Sequence, residues 1–286
     1  NLMGAVGGIV SLGAIAFLVS DTDRPSYLPL FATIIGFMLV CLIVLVTTIR
    51  EPKLTALMRE ESRAFGEEVE TPEENTVHQP MAPEVRRSFW LILASIFLWF
   101  MGYNAITTSF SKYANVYWGL TGGSFAYTLI IAQIAAIVSY IPVGIIATKI
   151  GRKKTILGGV VMLTVAFGSC VFFKSFGGMI FFFFVLAGVG WASINVNSYP
   201  MVVEMSRGAD VGKYTGYYYT ASMSAQTITP VLLGLVLNAT LAWRALPVYA
   251  AILTALSFVV FTVLVKNIKA AGTANTTDFR TQDAAD

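Results

Sequence analysis

Charge is the first shortage in this 286-residue chain: Asp, Glu, Lys and Arg together make up 12% of it, about half the share of an ordinary soluble domain. The net charge is only +3, so the electrostatic footprint of a nucleic-acid-binding protein is missing. Cysteine is scarce. Cys41 and Cys170 both fall inside apolar runs, which excludes a disulfide framework and leaves them as small packing residues. The one histidine, His78, has no second ligand type beside it, so no metal centre is expected. No nucleophile sits with a base and no catalytic carboxylates pair up, so neither an enzyme nor a bound cofactor is expected. The segment GADVGKY (Gly208 to Tyr214) is one residue short of a phosphate loop and ends in Tyr rather than Ser or Thr.

Apolar length is what the chain has in plenty: 56% of it is hydrophobic. Eight runs are expected to be helices crossing a bilayer, since each is continuously apolar over about 20 residues. They are Leu2 to Val19, Leu28 to Ile49, Phe89 to Phe110 and Phe125 to Thr148, then Ile156 to Phe173, Met179 to Val203, Tyr214 to Leu237 and Trp243 to Val265. A barrel would alternate over about ten residues instead. The fold class is therefore all-α, a polytopic membrane helical bundle.

An even number of spans puts both ends on one side. Fifteen of the nineteen Lys and Arg residues then share a face with those ends, and only Arg24, Lys112, Lys174 and Arg244 lie opposite. Positive charge marks the cytoplasmic side, so both ends are expected there, in a cell membrane. The segment after Glu51 is acidic, proline-containing and poor in large apolar residues. It reads as a surface helix followed by a cytoplasmic linker, and the tail from Ala270 reads as disordered. The expected organisation is two helices over residues 1–50, the linker over 51–88, six helices over 89–268 and the tail over 269–286. The chain opens on Asn1 with no basic residue before Arg24. The expectation is a polypeptide whose natural start lies upstream. Two spans, a long loop and six spans suit a protein of two six-helix halves that lacks its first four.

The turn GIIATKIGRKKT (Gly144 to Thr155) joins two spans and carries Lys149, Arg152, Lys153 and Lys154. It reads either as a gating latch or as a topology anchor. With Gly144, Gly151, Arg152, Lys153 and Lys154 in register, it resembles the signature turn of the major facilitator superfamily, except that Thr148 stands where that family usually has Asp. The resemblance implies a transporter of twelve helices, of which this chain would hold the fifth to the twelfth. The stretch from Asn195 to Gly234 resembles the tenth-to-eleventh helix region of glycoside–pentoside–hexuronide:cation symporters and of sucrose/proton symporters. Pro200, Glu204, Gly212, Gly216, Gln226 and Pro230 carry that likeness, and Met201 departs from it. This second resemblance implies a sugar cargo driven by H⁺ or Na⁺. The eight spans hold no deep Asp or Glu, and the resemblance puts the coupling carboxylates in the first half of the fold.

Polar side chains inside spans face partners, water or cargo. Asn104, Thr108 and Ser111 share a helical face, as do Trp191, Asn195 and Ser198. Tyr219, Ser222, Gln226 and Thr229 form a longer stripe, and Gln133 and Tyr140 lie seven apart. Amides offer donors and acceptors to hydroxyls, and aromatic faces pack against a sugar ring. The candidate substrate contacts are Asn104, Gln133, Trp191, Asn195 and Gln226. The Ser and Thr hydroxyls read instead as interhelical hydrogen-bonding groups. Gly144, Gly151, Arg152, Lys153, Lys154 and Glu204 form the gating or topology turn, with Glu204 paired to Arg207 or to a cation of Lys149 to Lys154. Gly4, Gly7, Gly8 and Gly13, with the glycines of the turn, are expected to let helices approach closely. Pro142, Pro200 and Pro230 are expected to act as hinges.

The expected protein is a monomeric sugar:cation symporter in a lipid bilayer. Two alternatives stand beside it: an exporter of drugs or metabolites on the same fold, and a non-transporting membrane scaffold or sensor.

Overall fold

A computed structural model describes residues 2–19, 26–48, 83–121, 123–205, 211–240 and 242–262, together with 56, 57 and 60. Apart from those last three residues, the expected linker up to residue 82 lies outside the described residues, as do Arg207, His78 and the tail. Among the described residues there are eight long helices and no strand. They are α1 (Leu2–Leu18), α2 (Leu28–Thr48), α3 (Pro83–Trp118), α4 (Ala126–Ile150), α5 (Arg152–Ser169), α6 (Gly178–Val203), α7 (Val211–Thr240) and α8 (Ala245–Thr262). Apolar runs fold this way because hydrocarbon offers no partner to backbone N–H and C=O groups, which a helix satisfies within one segment. Seven of the helices, α2 to α8, are long and apolar enough to cross a membrane. The first, α1, is equally apolar but has 17 residues, the short end of what spans a bilayer.

The largest departure from the sequence reading is α3. At 36 residues it is about 54 Å long, against a hydrocarbon core of about 30 Å. It takes in residues 83–88 of the expected linker and residues 111–118 of an expected loop. The physical reason is local. Pro83 fits the first position of a helix, and no Gly or Pro follows until Gly102. The stop comes at Gly119, whose φ of 65° closes the helix in a left-handed cap. There the Gly119 N–H donates to the Asn115 carbonyl and the Leu120 N–H to the Ala114 carbonyl.

Helix α6 is the hub of the packing and lies against both α4 and α5, while α3 packs on α7 and α1 on α4. Glycine makes the hub possible. A Cβ added at Gly159 of α5 would lie 2.6 Å from the Gly190 carbonyl of α6, and one at Gly190 would lie 2.8 Å from the Gly159 carbonyl. On the other side of α6, a Cβ at Gly188 would overlap the Ala132 carbonyl of α4. Hydroxyls tie α8 into the bundle: Ser257 donates to the Ser95 carbonyl at 3.1 Å, and Thr164 donates to the Thr254 hydroxyl at 3.0 Å. The outside is apolar, as a lipid-facing surface must be. Phe37, Val46 and Ile141, for example, are more than half exposed.

The close-approach role expected of the first-helix glycines is corrected at three of four positions. Gly4, Gly7 and Gly13 have open space where a side chain would go, because α1 presents a single face to α4. Only Gly8 of the four meets a neighbour, the side chain of Gln133. Gly144 of the basic turn also faces open space. Pro142, Pro200 and Pro230 lie inside α4, α6 and α7.

Candidate functional site

A cavity of about 160 Å³ opens among α1, α3, α4, α5 and α6. Its polar wall consists of Tyr103 and Thr107 from α3, Gln133 from α4 and Trp191 from α6, with Leu12 of α1 closing one side. Tyr103 and Trp191 lie near the middle of their helices, and Leu129 and Phe167 lie toward the end opposite the basic turn, so the cavity extends from the middle of the bundle toward that end. Small residues of α4 and α6 make it possible. Ala132, Ala136, Ala187 and Gly188 line it and leave volume that larger side chains would fill.

The aromatic wall is ordered by stacking. Tyr103 and Trp191 lie nearly parallel, with ring centroids 3.7 Å apart and planes 7° apart, and Phe100 meets Trp191 edge-on at 5.3 Å. One face of the indole is thereby held. The Gln133 amide donates from Nε2 to the Ala5 carbonyl of α1 at 3.4 Å, a long hydrogen bond. No residue lining this cavity is charged.

Of the five candidate contacts, the structure brings Gln133 and Trp191 together in one wall. Asn195 lies one turn beyond Trp191 on α6 and shares a side-chain hydrogen bond with Tyr140 of α4. Asn104 follows Tyr103 but does not line the cavity. Its amide nitrogen is buried without a hydrogen-bond partner. Gln226 is exposed on α7 and stands outside the cavity wall. The stripe expected on α7 splits: Ser222 and Thr229 are buried, whereas Tyr219 and Gln226 are exposed. At 100° per residue, about 60° separates these two edges, so one packed edge turns the other outward.

Sequence reasoning missed Tyr103 and Thr107. Both lie one residue away from the amide–threonine face that it picked out, and only the rotation of α3 against α6 shows which edge faces inward. The interhelical reading of the hydroxyls holds for Ser198, which bonds the Tyr218 hydroxyl of α7 at 3.1 Å. It is corrected for Thr108, Ser222 and Thr229, which donate to the carbonyls of Asn104, Tyr219 and Ala225 in their own helices.

At the end of the bundle that carries the basic turn, Gly151 alone separates α4 from α5, with φ 91° and ψ 144°, a conformation that side chains rarely adopt. Its carbonyl accepts from both the backbone N–H and the hydroxyl of Thr155, so it starts α5. Open space surrounds it, and glycine is there for the backbone, not for packing. Gly151→Ala is therefore expected to cost about 1–3 kcal/mol of stability through backbone strain. Thermal unfolding in detergent checks this, with Gly144→Ala as the unstrained control. Arg152 extends from the turn to Glu204 at the end of α6, Nη2 to Oε1 at 2.7 Å. Both side chains are more than a third exposed, so the pair contributes less than about 1 kcal/mol and serves mainly to fix geometry. Lys149 and Lys154 are exposed and Lys153 is half-buried.

A bundle of apolar helices around an uncharged cavity suits a polytopic membrane carrier. The family model described as Major Facilitator Superfamily matches residues 113–281, more than half of the chain, and the chain belongs to that superfamily. It is a multi-pass membrane transporter of that group. A search of curated proteins finds no match.

Proposed function

We propose that the protein carries a small uncharged sugar, in symport with H⁺ or Na⁺, by alternating access. The observation that supports this most is the cavity wall: an amide, two hydroxyl groups and a stacked aromatic pair, with no charged residue. A charged solute would need a buried counter-charge, and the wall offers none. A sugar ring needs hydrogen-bonding groups on its rim and a flat apolar surface under its C–H face. In this reading Gln133 and Trp191 contact the cargo directly, and Asn195 with Tyr140 extends the polar wall. Asn104 offers a further unpaired amide, and Gln226 acts from outside this cavity. The coupling ion is held outside this cavity, whose wall has no carboxylate. The Arg152–Glu204 pair, with Gly144, Lys153 and Lys154, forms the cytoplasmic gate. The protein works as a monomer in the cell membrane with both ends in the cytoplasm, an orientation supported by the fifteen-to-four division of Lys and Arg.

The test is uptake of radiolabelled sucrose into proteoliposomes under an imposed pH or Na⁺ gradient. Gln133→Ala is expected to reduce uptake about tenfold, the loss of one amide contact worth roughly 1.4 kcal/mol. One observation favours a second reading: most of the wall is apolar, Ile106, Leu129, Phe167 and Phe184 included. Gradient-driven expulsion of a lipophilic dye, with no uptake of sucrose, would make the protein an exporter of apolar metabolites instead.

A further inference from the structure

Gln133 has two neighbourhoods at once. Its side chain forms part of the cavity wall, and its Nε2–H donates to the backbone carbonyl of Ala5 on α1. The Ala5 carbonyl is also within reach of its own helix, where the N–H four residues on is its ordinary partner. The bond from Gln133 is therefore a second bond to an acceptor already in use, and at 3.4 Å it is a weak one. Room for it comes from Gly8, one turn along α1: a Cβ there would lie 3.3 Å from Nε2 and 3.5 Å from Cδ of Gln133. Leu12, a further turn along α1, closes the same cavity. The amide that would greet a solute is thus one of the contacts that hold α1 against α4.

We propose that Gln133 is a cargo-sensitive latch between α1 and α4. In the empty cavity one of the two N–H groups of its amide is spent on Ala5. A solute that bonds the amide in better geometry turns it away from the Ala5 carbonyl, and α1 loses that tether. Occupancy of the cavity is then coupled to the separation of α1 from α4. The coupling must be reciprocal: whatever loosens α1 from Gln133 also frees the amide for the solute and tightens its binding. This rests on the carrier reading of the cavity but not on which solute it takes.

Two substitutions separate the latch from a merely structural contact. Gly8→Ala crowds the Gln133 amide, 3.3 Å from the added Cβ, so that it shifts by a few tenths of an ångström away from Ala5, and it leaves every other residue of the cavity wall unaltered. Gln133→Leu removes the amide altogether. Spin labels at Met3→Cys on α1 and Ile141→Cys on α4, both about three-quarters exposed, report the separation of the two helices in the full chain with Cys41→Ala; Cys170 is buried. Without solute, both substitutions are expected to shift the distance distribution toward greater separation. With sucrose as the probe, binding should move in opposite directions: about fivefold tighter in Gly8→Ala, where the solute no longer competes with Ala5, and weaker in Gln133→Leu. Sucrose should widen the distance in the parent protein and leave Gln133→Leu unmoved. If both variants keep the parent distance without solute, or if Gly8→Ala binds sucrose no better than the parent, the latch is wrong. If sucrose binds to none of the three, the sugar reading fails separately, and the solute-free distances decide the latch by themselves.

Discussion

Gly159→Ala is expected to lower the melting temperature of the protein by roughly 10 °C, whereas Gly158→Ala, at the adjacent position, should leave it unchanged or raise it. The two glycines share a helix and a sequence environment, and they differ in what lies opposite. A methyl group at Gly159 would meet the Gly190 carbonyl at 2.6 Å and the Ser193 Cβ at 2.8 Å, both fixed parts of α6. No rotamer relieves a clash with backbone, so α5 and α6 would have to separate. Separation costs dispersion along the whole crossing, because contacts between packed helices are lost over a gap of less than 1 Å. A cost of about 3 kcal/mol follows for one methyl group placed this way. Gly158 has nothing within 4 Å, so alanine there only removes the conformational freedom of glycine in a helix, which favours the folded state. Tryptophan fluorescence during thermal unfolding in detergent measures both variants. Equal melting temperatures would show that α5 and α6 do not cross at these residues. Gly190→Ala should repeat the effect, since its methyl group would meet the Gly159 carbonyl at 2.8 Å.

The second large effect is expected at Trp191. Truncation to alanine removes a buried side chain that stacks on Tyr103, meets Phe100 edge-on and closes one wall of the cavity. Loss of such a residue from a packed interior costs about 3–5 kcal/mol, and the stacked pair itself accounts for about 0.5–1.5 kcal/mol of it. Transport should disappear with the wall. Trp191→Phe keeps an aromatic plane against Tyr103, so it should restore most of the stability while leaving the cavity wider and uptake of solute weak. Stability and transport measured on the two variants therefore come apart. If Trp191→Phe transports as well as the parent, the indole contributes packing and nothing to recognition. If Trp191→Ala melts with the parent, the stacked arrangement is wrong.

Local chemistry made much of the bundle legible. The runs that became α2 and α4 to α8 are predominantly apolar, and their ends were found within a few residues where Gly, Pro or charge stands at the boundary. The turn at Gly151 is the clearest case: one glycine between two helices, followed by three cations, appears in the structure as a one-residue reversal. A marker can also mislead, as at Phe110: Ser111 and Lys112 end the apolar run there, yet α3 continues to Trp118. The pairing of Glu204 with a cation of the turn was one of two options open to the sequence, and among the described residues Glu204 pairs with Arg152.

The cavity wall was legible only in part. Gln133 and Trp191 stood out because an amide or an indole inside an apolar span needs a reason to be there. Gln226 stood out for the same reason, yet α7 packs through the edge that carries Ser222 and Thr229 and turns Gln226 outward. The first-helix glycines show the same gap. Their spacing matches a packing motif, but Gly4, Gly7 and Gly13 face open space and the tight crossing lies between Gly159 and Gly190.

By composition and run length alone, the chain specifies a bundle of apolar helices, because no other backbone arrangement satisfies its own hydrogen bonds in lipid across single continuous apolar segments. Which side of each helix looks inward was decided by tertiary packing. A helix offers every face to its surroundings, and the choice depends on neighbours distant in the sequence: the paired carbonyls at Gly159 and Gly190, the ring of Tyr103 against Trp191, and the reach of Gln133 to Ala5.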